Sequence, residues 1–147
     1  TLFRSVFDSI RKDSPVELLS IVEETRKRAQ KLGTCRLGLI GTKFTMQEGF
    51  YQKEFEKHGI EIFTPDEKDQ DYIHEIYFKE LVRGIFNDKT IKRLISIAEG
   101  MANKYKIDGL ILGGTELPLV LSENDFDDIH ILNSTEIHVY SIIESLL

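Results

Sequence analysis

Apolar residues recur along this chain with helical spacing in some stretches and as short unbroken runs in others, and the alternation predicts its elements. Leu2, Phe3, Val6, Phe7 and Ile10 follow helical spacing. Ser14-Pro15-Val16-Glu17 fits a capping box with proline at the first helical position, while Val16 to Ile21 fits a short strand equally well. The charged run Glu23 to Lys31 predicts a helix that Gly33 stops. Arg36 to Thr42 is a short apolar run with glycine near its end, expected as a buried parallel strand. Phe44 to His58 predicts a helix with Met46, Phe50, Tyr51 and Phe55 inward, closed by Gly59, and Ile60 to Phe63 a strand stopped by Pro65. Ile73, Ile76, Tyr77, Leu81 and Ile85 trace one face of a helix from Gln70 to Phe86, and Asn87-Asp88 separates it from a second amphipathic helix, Lys89 to Tyr105. Asp108 to Gly114 reads as a buried strand ending in a glycine turn that runs into polar residues and a helix start. Ile129 to Leu132 is a last short strand, and Ser134 is expected to cap a closing helix through Leu147.

Strands alternating with helices predict an α/β fold, a Rossmann-like parallel sheet flanked by helices and wound by right-handed crossovers. The pattern is compact between Arg36 and Leu121, with both ends as pieces packed against it. A chain of 147 residues suffices for one compact domain, or one domain plus pieces of another. The net charge of -6 argues against a nucleic-acid partner and opposes long-range attraction of an anion, so an acidic ligand needs locally placed cations. No apolar run approaches the roughly 20 residues needed to span a bilayer, and no basic-then-apolar leader is present, so no membrane partner and a cytoplasmic location are expected. Cys35, the only cysteine, excludes an intrachain disulfide framework and a cysteine-rich zinc site. It precedes a strand at the amino end and is read as a structural or incidental thiol. Thr1 rather than methionine at the start suggests that something upstream was removed or left out.

Candidate chemistry gathers at two turns of one design. Gly41-Thr42-Lys43-Phe44-Thr45 and Gly113-Gly114-Thr115-Glu116 each follow a strand and open what reads as a helix. On neighbouring strands both would face one crevice, offering glycine amides, threonine hydroxyls and a positive helix end to a carboxylate or phosphate. Taken singly, each turn is equally well explained as a tight turn with a threonine cap. A Walker loop is excluded because Lys43 follows Thr42 instead of preceding it, and a dinucleotide fingerprint because Gly38 and Gly41 lack a third member. His58, His74, His130 and His138 show no metal-ligand spacing and are read as surface or capping residues.

Leu39-Ile40-Gly41-Thr42-Lys43-Phe44-Thr45-Met46, Gly49-Phe50-Tyr51, Ile60 to Pro65 with Gln70, Phe78 to Gly84 and Leu112 to Glu116 resemble, in order, segments of the aspartate/glutamate racemase family. Thr1-Leu2-Phe3 is similar to the end of that family's first-domain motif. The resemblance implies residues 1–34 as a remnant of a first domain and hinge, 35–128 as the α/β racemase-type domain, and 129–147 as a returning carboxyl-terminal segment. It also implies pyridoxal-independent chemistry with no cofactor, in which two cysteines on opposite faces of the substrate remove and return the α-proton. Gly114 stands where the second cysteine is usual, and the first would lie upstream of Thr1, so this chain alone is expected to be inactive. By position, Thr1, Thr42, Thr45, Gly114, Thr115 and Glu116 would line the site, with Lys43 or Arg83 countering a carboxylate unless each is a solvated surface charge. The implied ligand is an acidic amino acid or dicarboxylate. A catalytically degenerate carboxylate-binding or interaction protein is the alternative, and the apolar faces of the end helices raise the expectation of a homodimer.

Overall fold

The computed structural model describes residues 2–147, excepting the side chains at positions 2–5 and 8. The apolar runs form four strands: β1 (Arg36–Gly41), β2 (Glu61–Phe63), β3 (Gly109–Gly113) and β4 (His130–Asn133). All pair in parallel, in the order β2-β1-β3-β4. Seven helices flank them: α1 (Leu2–Asp13), α2 (Ile21–Leu32), α3 (Lys43–Gln47), α4 (Phe50–Glu56), α5 (Glu67–Lys79), α6 (Asp88–Tyr105) and α7 (Ser134–Ser145). The expected α/β architecture is therefore the one observed.

Side chains on a strand alternate between its two faces, and that alternation divides the core. Leu37, Leu39, Ile111 and Leu132 pack with Ala29 of α2 and with Tyr51 and Phe55 of α4. Ile40, Leu110 and Leu112 pack instead with Ile73 and Ile76 of α5 and with Leu94, Ile97 and Met101 of α6. Burial of each such side chain contributes roughly 1.5–3 kcal/mol. Gly38 faces the second layer, where a Cβ would come within 2.9 Å of both Ile107 Cδ1 and Leu110 Cδ1. Glycine there admits the end of α6 against the sheet. From β1 the chain steps outward to β2, then crosses back over β1 to β3 and continues to β4. Growth of the sheet thus changes direction between β1 and β3, the arrangement that opens a crevice at the carboxyl ends of the strands.

Several boundaries depart from the sequence expectation. Residues 14–20 form neither helix nor strand. The Ser14 hydroxyl donates to Val16 O at 2.7 Å and accepts the Val16 N–H at 3.3 Å, closing a local turn, while Ser20 caps α2 by accepting the Glu23 N–H. The helix expected from Phe44 to His58 is two helices, because Gly49 takes a left-handed φ of 74° between them. The helix expected from Gln70 to Phe86 begins earlier, where Asp66 caps it, and ends at Lys79, followed by the 3-10 turn Leu81–Arg83 and left-handed Gly84. Beyond β3, the expected helix start is the three-residue 3-10 turn Leu117–Leu119. Its Pro118 brings no N–H to extend a helical ladder. Asn133, rather than Ser134, caps α7 by accepting the Glu136 N–H at 3.2 Å. The buried Ser134 hydroxyl donates to Leu112 O at 2.8 Å, tying α7 to β3. No helix of the described residues is long and apolar enough to cross a membrane.

Candidate functional site

β1 and β3 are direct neighbours, and their last residues, Gly41 and Gly113, are register partners. The two glycine-threonine turns therefore emerge side by side. Thr45 packs down over both strand ends: a Cβ on Gly113 would lie 2.8 Å from Thr45 Cγ2, and one on Gly41 would lie 3.1 Å from Thr45 Cβ and 2.8 Å from Gly113 O. The glycines are required by this close approach. Thr42 caps α3, its hydroxyl accepting the Thr45 N–H at 3.4 Å and lying 3.2 Å from the Thr45 hydroxyl. Thr45 also borders an apolar cleft of about 400 Å³ with Phe44, Phe50, Leu19 and Ile21. A larger cleft of about 660 Å³ lies beside the carboxyl ends of β3 and β4, bordered by Leu112, Asn133, Glu24 and Lys27.

Lys43 departs from the role of a counter-charge left open to a ligand. Its ammonium is ion-paired with Asp71 of α5, and hydrogen bonding to Asp71 raises its pKa. Its backbone N–H donates to His74 Nδ1 at 3.3 Å. The helix-dipole part of the expected anion cradle also shrinks. α3 has five residues, and a three-residue 3-10 turn stands where a helix was expected after β3. So short an array of aligned peptides makes a small dipole.

At the β3 turn the chemistry comes from three side chains. The Tyr77 hydroxyl donates to Glu116 Oε2, and the Thr115 hydroxyl donates to the same oxygen at 2.7 Å. Tyr77 is 6 % exposed. Burial, reinforced by the Glu116 carboxylate, pushes its phenol up to about 12. The hydrogen bonds from Tyr77 and then Thr115 hold the Glu116 carboxyl below its usual range. Tyr77 also settles what can stand at position 114. A Cβ built on Gly114 would collide with the phenol oxygen and come within 2.9 Å of Cε2 and 3.0 Å of Cζ. No side chain fits at 114 while the ring of Tyr77 is where it is.

Asp71, His74 and Tyr77 are three residues apart, one stripe of α5. Asp71 and His74 engage Lys43, and Tyr77 engages the β3 turn, so this stripe reaches both turns. Sequence reading counted Tyr77 as a core position and did not assign Asp71 a role. The usable signal was polar groups at three-residue spacing beside the buried Ile73 and Ile76. Of the remaining candidates, Arg83 is exposed in the turn after α5, and no hydrogen bond or ion pair among the described residues joins it to either turn. Thr1 lies outside the described residues. The exposed Cys35 sits at the amino end of β1, opposite the turns.

A family profile described as Asp/Glu/Hydantoin racemase matches residues 3–142. Glutamate racemase from Aquifex aeolicus is 25% identical over 131 residues, a match covering 87% of this chain and 48% of that protein. The chain thus spans about half the length of that relative. The crystal structure of an aspartate racemase homologue from Pyrococcus horikoshii superposes with a TM-score of 0.90 at 32% identity, covering 99% of this chain and 63% of that one. Picrophilus torridus aspartate racemase, at 24% identity and a TM-score of 0.66, covers 88% of this chain and 52% of its own and shares the fold. Matched along nearly all of its sequence, with paired strand-glycine-threonine turns on a parallel sheet, the chain belongs to the Asp/Glu/Hydantoin racemase family.

Proposed function

We propose that the chain serves cofactor-independent racemisation of an acidic amino acid, aspartate or glutamate, as part of a longer polypeptide, and that these 147 residues alone are inactive. The observation that carries the reading is the register pairing of Gly41 with Gly113 in a member of this family, which sets both threonine-bearing turns side by side at the carboxyl ends of the two central strands. Racemisation requires proton-transfer groups within reach of Cα on opposite faces. It also requires preorganised donors for the carboxylate charge that grows toward an enediolate. The amides of these turns, and whichever of the paired Thr42 and Thr45 hydroxyls is not donating to the other, are the donors available there, the Thr115 O–H being engaged by Glu116. Glu116 offers an acceptor suited to the ammonium group of an amino acid. Residues 35–128 act in this reading as the racemase-type domain.

Gly114 favours a second reading, a relative that binds a small carboxylate without turning it over, because this position carries no proton-transfer side chain. Chiral chromatography of L-aspartate and L-glutamate separates the possibilities. The full-length polypeptide is expected to form the D-enantiomer of one of them and the 147-residue chain of neither. Saturable heat on titration with aspartate, glutamate or a dicarboxylate, without racemisation by the full-length polypeptide, selects the second reading. Turnover by the 147-residue chain overturns the proposed inactivity. We also propose a homodimer that buries exposed Val6 and Ile10 of α1 and Tyr140 and Ile143 of α7. A monomer by sedimentation at high concentration is the opposing result.

A further inference from the structure

The room above Gly114 is occupied by a group borrowed from another element. Thirty-seven positions earlier in the sequence, Tyr77 of α5 places its phenol against the position that a Cβ of residue 114 would take. The phenol is anchored there through Glu116 Oε2, which also accepts the Thr115 hydroxyl. Of the groups at this turn, Glu116 is a carboxylate accepting two O–H bonds and has no proton to give. Thr115 is an alcohol, a weaker acid than a phenol even at the value of about 12 to which Tyr77 is pushed. The ammonium of Lys43, on the neighbouring turn, is paired with Asp71. Among the described residues at this turn, the neutral O–H more acidic than an alcohol belongs to Tyr77.

We propose that Tyr77 is the catalytic proton carrier on the β3 side of the site, its phenol standing in for a side chain at position 114. This rests on the racemase reading. The opposite face of the substrate supplies a base of the thiolate or carboxylate class, which removes the α-proton. On the β3 side the O–H bond of Tyr77 breaks as the electron pair of the enediolate forms a new Cα–H bond. The O–H electron pair stays on the phenolate oxygen; water returns a proton to it, and the hydroxide so formed takes the α-proton from the opposite base. No oxidant or reductant enters. In this structure the O–H points at Glu116 Oε2 and turns away from it to reach the substrate; the Glu116 charge holds the proton on the phenol at rest and favours prompt reprotonation of the phenolate.

The test follows exchange of the Cα proton of L-aspartate and L-glutamate in D2O by NMR, with the full-length polypeptide. Tyr77→Phe keeps the ring and removes only the hydroxyl. Exchange should fall by about a hundredfold or more, the usual scale for loss of a general acid or base. Calorimetric affinity for the same amino acid should stay within about threefold. Exchange by Tyr77→Phe close to the unsubstituted rate overturns the proposal and leaves the racemase reading standing. Loss of affinity in step with exchange also overturns it, making Tyr77 a prop for the turn. A fluorotyrosine at position 77, more acidic and nearly the same shape, should move the alkaline limb of the rate profile to lower pH; an unmoved limb contradicts proton transfer. Absence of exchange in the unsubstituted protein with both amino acids overturns the racemase reading and this proposal together.

Discussion

The carboxylate of Asp108 accepts the backbone N–H of Arg36 at 3.0 Å, and its second oxygen accepts that of Cys35 at 2.8 Å. Asp108 N–H in turn donates to Arg36 O at 2.8 Å. The residue just before β3 thus fastens the amino end of β1, opposite the end where Gly41 and Gly113 carry the turns. Hydrogen bonds to a charged group contribute about 1.5–3 kcal/mol each when well made, and partial exposure lowers that. Asp108→Ala should therefore cost about 1–3 kcal/mol in urea unfolding, and Asp108→Asn, which keeps one acceptor, less.

Gly113 offers a contrast at the other end. Its missing Cβ is the space in which Thr45 Cγ2 sits. Gly113→Ala should destabilise by about 1–3 kcal/mol, the scale of overpacking in a closed site. Thr45→Ser, which removes the obstructing methyl, should recover part of the loss in the double variant. Thermal melts of the two single variants and the double variant measure the coupling.

The Tyr77–Glu116 pair makes stability depend on pH at both extremes. The phenol is raised in the folded state, so its contribution is complete below the unfolded value near 10 and is lost as pH rises through about 12. The Glu116 carboxyl is depressed, so its contribution is present above the unfolded value near 4.5 and is lost as pH falls through the lower folded value. Tyr77→Phe should remove the alkaline fall and, by taking away the larger of the two hydrogen bonds to Glu116, also shrink the acid one. Denaturant midpoints across both ranges, with phenolate absorbance followed at the high end, read this directly.

Cys35 should be modifiable without consequence for ligand binding. It is exposed at the amino end of β1, a full strand away from the turns. Iodoacetamide under native conditions should add one label to the 147-residue chain and leave the titration with acidic amino acids unchanged. A loss of binding on labelling would place the site elsewhere.

The strands were readable because each is a compact apolar run bounded by breakers, as with Arg36 to Gly41 and Gly109 to Gly113. The turn threonines were readable because they follow glycines at strand ends. What escaped was long-range or concerned local competition. Gly49 sits between two stretches of apolar periodicity that are in phase, and only its left-handed φ shows the break. Ser14 and Pro15 carry the residue types of a helix start, yet the Ser14 hydroxyl bonds the Val16 backbone instead. Tyr77 and Glu116 are joined across the fold, and neither residue's neighbours in the sequence announce the other. The same holds for Lys43 and Asp71, so a lysine expected to await a carboxylate already has one.

The polar stripe on α5 also sets a length. Asp71 and Tyr77 are six residues apart on one helix, a span of about 9 Å at 1.5 Å per residue. Sheet register fixes how the roots of the two turns sit, and α5 separately gauges the distance between the group that grips Lys43 and the one above Gly114. A single residue inserted between them would turn one contact about 100° away from its partner. The crevice is thus measured twice, by a sheet beneath it and by a rod across it, and agreement between the two gives each turn its shape.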